Sequence, residues 1–221
     1  MVGFGLILLA YLIGSIPTAY IVGRIARNID IRRYGSGNVG ASNVWIHVSR
    51  WVVVPLSAFD LFVKGTLPVY FAQHTSTEPW VHVASGLSAV VGHNWSIYLK
   101  FTGGRGVTVA CGVLLVLAWK ELMVLLAVGI AGWLIFRSSA VWVGISMALI
   151  PAWSLVLGES LDITVLSTGL VVTLATKRIL SNRGTALGAS SMRKVLLQRL
   201  IYDRDVSSRD EWVYRTPPYD Q

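Results

Sequence analysis

Apolar residues in this chain run in long blocks separated by short polar or glycine-bearing connections. They neither alternate at the two-residue period of a half-buried strand nor form the single stripe of a surface helix. The blocks occupy residues 3–23, 50–72, 80–99, 106–119, 122–136, 139–157 and 162–180. About 20 apolar residues cross a hydrocarbon core roughly 30 Å thick, so the pattern predicts an all-α integral membrane protein with seven transmembrane helices. The fourth and fifth blocks are short for a full crossing, which calls for tilt or local thinning of the bilayer. The first block follows no basic segment and ends at Gly23-Arg24 without a small-residue cleavage site, so it reads as a retained first helix. No motif recurs from block to block, so the spacing does not indicate a repeat.

After Gly184 the pattern changes, and residues 184–221 read as a separate tail after a membrane domain of 1–183. Ser191 to Ile201 mixes basic and apolar residues at helical spacing, predicting an amphipathic helix on the inner leaflet with its bases toward anionic headgroups. The last stretch, rich in Asp, Glu and Pro, predicts irregular structure.

Composition agrees with the hydropathy pattern. Of 221 residues 54% are hydrophobic and 14% charged, with mean hydropathy +0.61, whereas soluble domains carry about a quarter charged residues. One cysteine, Cys111, rules out an internal disulfide, and no Cys/His cluster has metal-ligand spacing. The net charge of +8 reflects bases lying between and after the apolar blocks, so it points to membrane orientation rather than to nucleic acid. Arg24, Arg27, Arg32, Arg33, Arg50, Lys100, Arg105, Arg137 and the bases from Lys177 onward fall on one side, with only Lys120 in the opposite loops. Lys and Arg accumulate in cytoplasmic loops, so the N-terminus is expected outside and the C-terminus in the cytoplasm.

Two glycine-rich connections carry the candidate chemistry. The first, Asp30 to Asn43, contains Gly35, Gly37 and Gly40 in a literal G-x-G-x-x-G, but no strand–helix–strand unit surrounds it, so the dinucleotide reading fails. What remains is a backbone able to turn several N–H groups toward one anion. Ser36, Asn38, Ser42 and Asn43 add polar groups, and Arg32 and Arg33 add charge. A phosphate site fits this density better than a flexible connector does. The second connection runs from Gly92-His93-Asn94-Trp95 to Gly103-Gly104-Arg105-Gly106. It lacks a P-loop lysine, but it places bare N–H groups before a helix N-terminus, where anions are favoured, beside a guanidinium able to bind them in bidentate fashion. Both connections are expected on the same face, and a catalytic reading requires them to meet there.

Asp60 and Lys64 share a helical face inside the second block. They form either the wall of a polar pocket or a neutralised pair near a helix end, since ionisable groups at that depth rarely face lipid. His93 is a candidate proton acceptor or a satisfied polar contact. His47 lies on the same side, His74 and His82 on the other. Cys111 reads as packing, and Trp133, Trp142 and Trp153 as core or interface belt.

Gly14-Ser15-Ile16-Pro17, Asp30-Ile31-Arg32, Gly35 through Val44, Asp60 with Lys64-Gly65, and Gly92-His93 through Gly103-Gly104-Arg105-Gly106-Val107 occur in an order that resembles the bacterial acyl-phosphate:glycerol-3-phosphate acyltransferases, over roughly residues 3–180. The resemblance implies a seven-span inner-membrane enzyme. An acyl phosphate would donate its chain to the sn-1 hydroxyl of glycerol 3-phosphate, giving lysophosphatidic acid for phospholipid synthesis, without a cofactor or an acyl-enzyme. The substrate phosphates would be held by Ser36, Gly37, Asn38, Gly40, Asn43, Gly103, Gly104, Arg105 and Gly106. His93 is the catalytic candidate, and Arg32, Asp60, Lys64, Arg137, Asn182 and Arg183 are expected to support the site.

The chain departs from the family pattern in three places. Trp45-Ile46 stand where a basic residue is usual, Ser138-Ser139-Ala140 follow Arg137 in place of Ser-Leu-x-Ser, and Lys177 to Thr185 contains neither His nor Glu. Lys177, Asn182 and Arg183 are the available anion ligands in that last stretch. Alternatives are a divergent paralogue with another phosphorylated acceptor, a silent lipid-binding scaffold, or an organic-anion transporter, which would need a midplane site between repeats.

Overall fold

The computed structural model describes residues 1–180, 182, 192–206 and 208–217, and among these every regular element is helical. Helices α1 (Val2–Gly14) and α2 (Thr18–Arg27) form one apolar segment broken at Ser15-Ile16-Pro17. Pro17 has no amide hydrogen and disfavours helical geometry in the residue before it, so the helix stops and restarts. A short α3 (Ala41–His47) closes the first polar connection. The next segment has three parts: α4 (Val53–Ala58), a π-helical stretch Phe59–Thr66, and α5 (Leu67–Thr75). Then come α6 (Pro79–Asn94), α7 (Val107–Leu117), α8 (Trp119–Phe136), α9 (Ser139–Val156) and α10 (Leu161–Leu180). The tail contributes α11 (Met192–Tyr202) and α12 (Arg209–Val213).

Among the described residues five segments are long and apolar enough to cross a membrane: Val2–Arg27, Val53–Thr75, Trp119–Phe136, Ser139–Val156 and Leu161–Leu180. The predicted spans 80–99 and 106–119 fall on shorter helices. Instead of continuing to residue 99, α6 stops at Asn94. Lys100 and Phe101 take left-handed φ values of +54° and +62°, and the chain folds back through a bridge between Ser96 and Thr102. With 11 residues, α7 extends about 16 Å at 1.5 Å per residue, roughly half a hydrocarbon core.

α6 packs against α1, α5, α7 and α10, and the main core gathers around it from Val83, Ala89, Val90, Val113, Leu166 and Leu170. The outer faces stay apolar, with Ile130, Leu134, Ile135, Phe136, Leu155 and Val172 exposed. That is the surface of a helical bundle solvated by lipid. Packing inside it depends on small residues, as in membrane bundles generally. Where α7 crosses the π-helical stretch, a Cβ on Gly112 would lie 2.1 Å from the Leu61 carbonyl oxygen, and one on Gly65 would lie 2.4 Å from that of Val109. Thr66 Oγ1 donates to the carbonyls of Leu61 (3.1 Å) and Gly112 (3.2 Å), tying the irregular turns to their neighbour.

A second, smaller core lies beneath the first glycine loop, built from Ala19, Ile31, Val39, Val44, Val48, Leu56 and Leu99. The connection between α2 and α4 therefore has its own packed interior.

The tail helix is present, but Arg199 points inward. It is 6% exposed and forms a bidentate pair with Asp205 (2.6 and 3.2 Å). Residues 184–191, 207 and 218–221 of the predicted tail lie outside the described residues.

Candidate active site

The Pro17 break, the π-helical stretch, the end of α6 and both glycine loops converge on one narrow cleft, lined among others by Pro17, Thr18, Val39, Lys64, His93 and Gly103. Its floor is a buried polar cluster. Lys64 Nζ lies 2.6 Å from Asp60 Oδ1, with side-chain exposures of 1% and 3%. Thr18, first residue of α2, donates from Oγ1 to Asp60 (2.8 Å) and accepts from Lys64 (2.8 Å). His93 Nδ1 stands 3.4 Å from Lys64 Nζ and 4.0 Å from Asp60 Oδ2. π-helical turns recur at functional sites; here they carry the two charged residues, and the helix break supplies the hydroxyl between them.

The two glycine loops touch above this floor. Val39 N–H donates to the Gly103 carbonyl (3.1 Å), and Gly104 N–H donates to that of His93 (3.0 Å). Asn182, just beyond α10, donates from its amide to the carbonyls of Gly37 (3.2 Å) and Gly103 (2.6 Å), so one side chain joins both loops. Its oxygen accepts from Lys177 Nζ (2.8 Å), a 2%-exposed cation that also lies over the Trp95 ring. Asn38 faces both Asn182 and Arg105. In one amide orientation its oxygen accepts from Asn182 (3.0 Å); in the other it accepts from Arg105 Nε (3.0 Å) and Nη2 (3.1 Å).

Gly104 shows why this loop excludes side chains: a Cβ there would lie 2.1 Å from His93 Nε2 and 2.8 Å from the Val39 carbonyl oxygen. In the first loop Gly37 requires the left-handed region (φ +71°).

Arg105 is engaged on three sides. Besides Asn38, Nη1 donates to the Lys177 carbonyl (2.7 Å), and Nη2 lies 2.7 Å from Asp203 Oδ1 in an ion pair that is not an aligned hydrogen bond. Burial pushes the Asp203 carboxyl above the ordinary carboxylate range, while Arg105 and Arg178 pull it back down. Tail carbonyls also reach the first loop. Gly35 N–H donates to Arg215 O (2.8 Å), and His47 Nε2 lies 2.9 Å from Val213 O.

Ser36, Gly37, Asn38, Gly103, Gly104 and Arg105 thus share one neighbourhood with Asn182, directly above Asp60, Lys64 and His93. Ser36 Oγ accepts from Asn38 N–H (3.2 Å). Gly106, at φ +75°, starts α7. Asn43 is committed to the loop itself, its amide donating to the carbonyls of Ile31, Tyr34 and Asn38. Gly40 is the extended residue before α3, and a Cβ there would meet nothing within 4 Å. Arg32 pairs with Asp30 (2.7 Å) and lies over Tyr20, and Arg137 is an exposed left-handed cap on α8. Neither is joined by a described bond to the Arg105 cluster. Arg183 lies outside the described residues. Among the described residues no group of three His, Cys, Asp or Glu is placed to hold a metal ion.

Two contributors escaped the sequence reading. Thr18 carried a signal in its place beside the helix-breaking Pro17. Asp203 carried none, because its partner is almost a hundred positions away.

Comparison with known proteins gives the family of the chain. The family model described as glycerol-3-phosphate acyltransferase matches residues 4–184. Glycerol-3-phosphate acyltransferase 5 of Dehalococcoides mccartyi is 34% identical over 211 residues, covering 93% of this chain and 90% of the relative. Glycerol-3-phosphate acyltransferase 2 of Moorella thermoacetica is 47% identical over 112 residues, 51% of this chain and 57% of the relative. The crystal structure of PlsY (YgiH), an integral membrane glycerol 3-phosphate acyltransferase in its glycerol 3-phosphate form, superposes with a TM-score of 0.72 at 26% identity, covering 90% of this chain and 100% of that one. The fold is that of a multi-pass membrane protein, and the chain belongs to the glycerol-3-phosphate acyltransferase family.

Proposed function

We propose that this chain transfers a fatty acyl group from an acyl phosphate to the sn-1 hydroxyl of glycerol 3-phosphate, releasing lysophosphatidic acid and phosphate. The hydroxyl oxygen attacks the acyl carbon, an ester C–O bond forms and the anhydride C–O bond breaks. The hydroxyl proton leaves to a phosphate oxygen or to the imidazole of His93. A mixed anhydride is already activated, so positioning and charge stabilisation are enough to drive transfer, and no nucleophilic Cys or Ser is needed.

The observation that carries this reading is the direct contact of the two glycine loops, Val39 N–H to Gly103 O with Asn182 bridging both, above a buried polar floor. Two phosphorylated reactants need two adjacent anion cradles. Ser36, Gly37, Asn38, Gly103, Gly104, Arg105 and Gly106 hold the phosphates. Asp60, Lys64 and Asn182 fix the frame, while Gly40 and Asn43 shape the first loop. Arg32, Arg137 and Arg183 add positive charge to the cytoplasmic side of the chain.

In this reading the chain crosses a bacterial inner membrane seven times, N-terminus outside and C-terminus cytoplasmic, with α6 and the short α7 completing two of the crossings. The tail from 184 onward stays in the cytoplasm, where the exposed Leu196, Leu197, Leu200 and Ile201, with Arg193 and Lys194 nearby, suit the membrane surface. The distribution of Lys and Arg supports this orientation.

The test is a product screen. Purified protein in lipid, given a defined acyl phosphate and labelled glycerol 3-phosphate, should yield labelled lysophosphatidic acid by mass spectrometry. A folded sample that gives product with another polyol phosphate but not with this one would reassign the acceptor. A sample that binds acyl phosphate without turnover would reduce the protein to a scaffold.

A further inference from the structure

One contact at the site comes from beyond residue 184, where the family match ends. Asp203 places a carboxylate oxygen 2.7 Å from Arg105 Nη2. The tail holds it there by specific anchors. Arg178 Nη1 donates to Leu200 O (3.0 Å), and Arg199 Nη1 donates to Ile179 O (2.8 Å). The Arg199–Asp205 pair locks the turn that follows α11. Asp203 ends that helix in the left-handed conformation (φ +56°), its N–H donating to Arg199 O (3.0 Å). Farther on, Trp212 is 4% exposed, and its neighbours fasten to Gly35 and His47. Both phosphate loops are therefore touched by the same tail, one through backbone and the other through a carboxylate.

Carboxylate and phosphate satisfy a guanidinium in the same way, each offering paired anionic oxygens to its N–H groups. Two such anions cannot both occupy the Nη2 edge without strong repulsion. Given Arg105 as a phosphate ligand, as proposed above, we infer that Asp203 sets substrate affinity by occupying the place of a substrate's terminal phosphate on Arg105 and yielding it when the substrate binds. Until then the carboxylate balances the charge of the half-buried Arg105 guanidinium. Substrate binding is then an exchange of anions, and apparent affinity is reduced by the fraction of molecules in which the tail holds Arg105.

The experiment compares full-length wild type with Asp203→Asn in lipid nanodiscs, measuring KM separately for glycerol 3-phosphate and for acyl phosphate. Asn keeps the shape and tolerates the left-handed backbone but removes the charge. KM should fall about three- to tenfold for the substrate whose phosphate meets Arg105, with kcat within about twofold. The substrate that responds identifies which phosphate it is. A KM unchanged or raised for both substrates overturns the inference and leaves Asp203 as a residue that positions Arg105.

A second measurement needs no turnover. Saturating inorganic phosphate should speed hydrogen exchange across residues 192–206 of the wild type, and Arg105→Gln should abolish that response. Exchange that is unchanged or slowed by phosphate also overturns the inference. If acyl transfer fails while phosphate still loosens the tail, the proposed reaction is at fault and the competition stands.

Discussion

At Lys64 the buried charge is matched locally: Asp60, Thr18 and the His93 ring all lie within 3.4 Å of Nζ. Removing one partner of a buried pair leaves the other uncompensated, at about 3–5 kcal/mol. Asp60→Ala should therefore lower the thermal midpoint in detergent sharply, and replacing both Asp60 and Lys64 by apolar residues of similar volume should restore most of it. Equal midpoints for wild type and Asp60→Ala would show that the pair contributes no stability. Gly104 makes a different prediction. A methyl group there meets His93 Nε2, a proton acceptor in the proposed reaction, and a misplacement of about an ångström at such a group can cost about 100-fold. Gly104→Ala should lower kcat by that order, and combined with His93→Ala it should be no worse than His93→Ala alone. Fully additive losses would separate the glycine from the histidine. Asp30 gives a pH signature. The Arg32 guanidinium holds its carboxyl below the usual range, so its contribution is complete above the unfolded value of about 3.9 and is lost as pH falls through the lower folded value. The wild-type midpoint should drop more steeply than that of Asp30→Asn between pH 5 and pH 2; parallel curves would count against the pair.

Among the elements, the two glycine loops were legible because Gly, Ser and Asn gather there beside arginines in a chain otherwise made of apolar blocks. The division of labour within the first loop was not. Asn43 looks in sequence like another ligand, yet its amide is used by carbonyls of its own loop, and that depends on how the loop closes over Ile31 and Val44. The π-helical stretch was also hidden, since Asp60 and Lys64 at four-residue spacing suit an ordinary helix equally well. What distinguishes it is contact with α7, made where Gly65 and Gly112 let two backbones meet. The end of α6 went unseen for a related reason, because Trp95, Ile97, Tyr98 and Leu99 continue the hydropathy while the chain turns back at Lys100 and Phe101, two residue types that give no turn signal. Asn182 is where two elements become one site. Asn182→Ala removes the bonds to Gly37 and Gly103 and should raise KM for both substrates about tenfold, the effect of losing roughly 1–2 kcal/mol. A KM change confined to one substrate would mean that the loops act independently.

At the scale of the whole molecule, the direction of the chain is the strongest inference the sequence permits, because it depends on summed Lys and Arg rather than on any single contact. In a Cys111→Ala background, a cysteine placed at Gly158 should react with an impermeant thiol reagent added outside intact cells, and one at Arg137 only after the membrane is opened. The reverse pattern would invert the orientation. The tail shows the opposite case. Its helix was visible as basic and apolar residues at helical spacing, but its docking depends on Arg178, Arg199 and Asp203 meeting partners far away in the chain. Local periodicity carries no record of such pairs.

The closeness of Asp60 to Lys64 also bears on how the protein is made. Because both charges belong to one continuous helical segment, they can neutralise each other as soon as that segment leaves the ribosome, before His93 has been synthesised. The insertion machinery would then pass the segment to the bilayer as a paired unit rather than as an isolated cation. Had the counter-charge come from a later helix, the nascent chain would have had to keep Lys64 hydrated until that partner arrived.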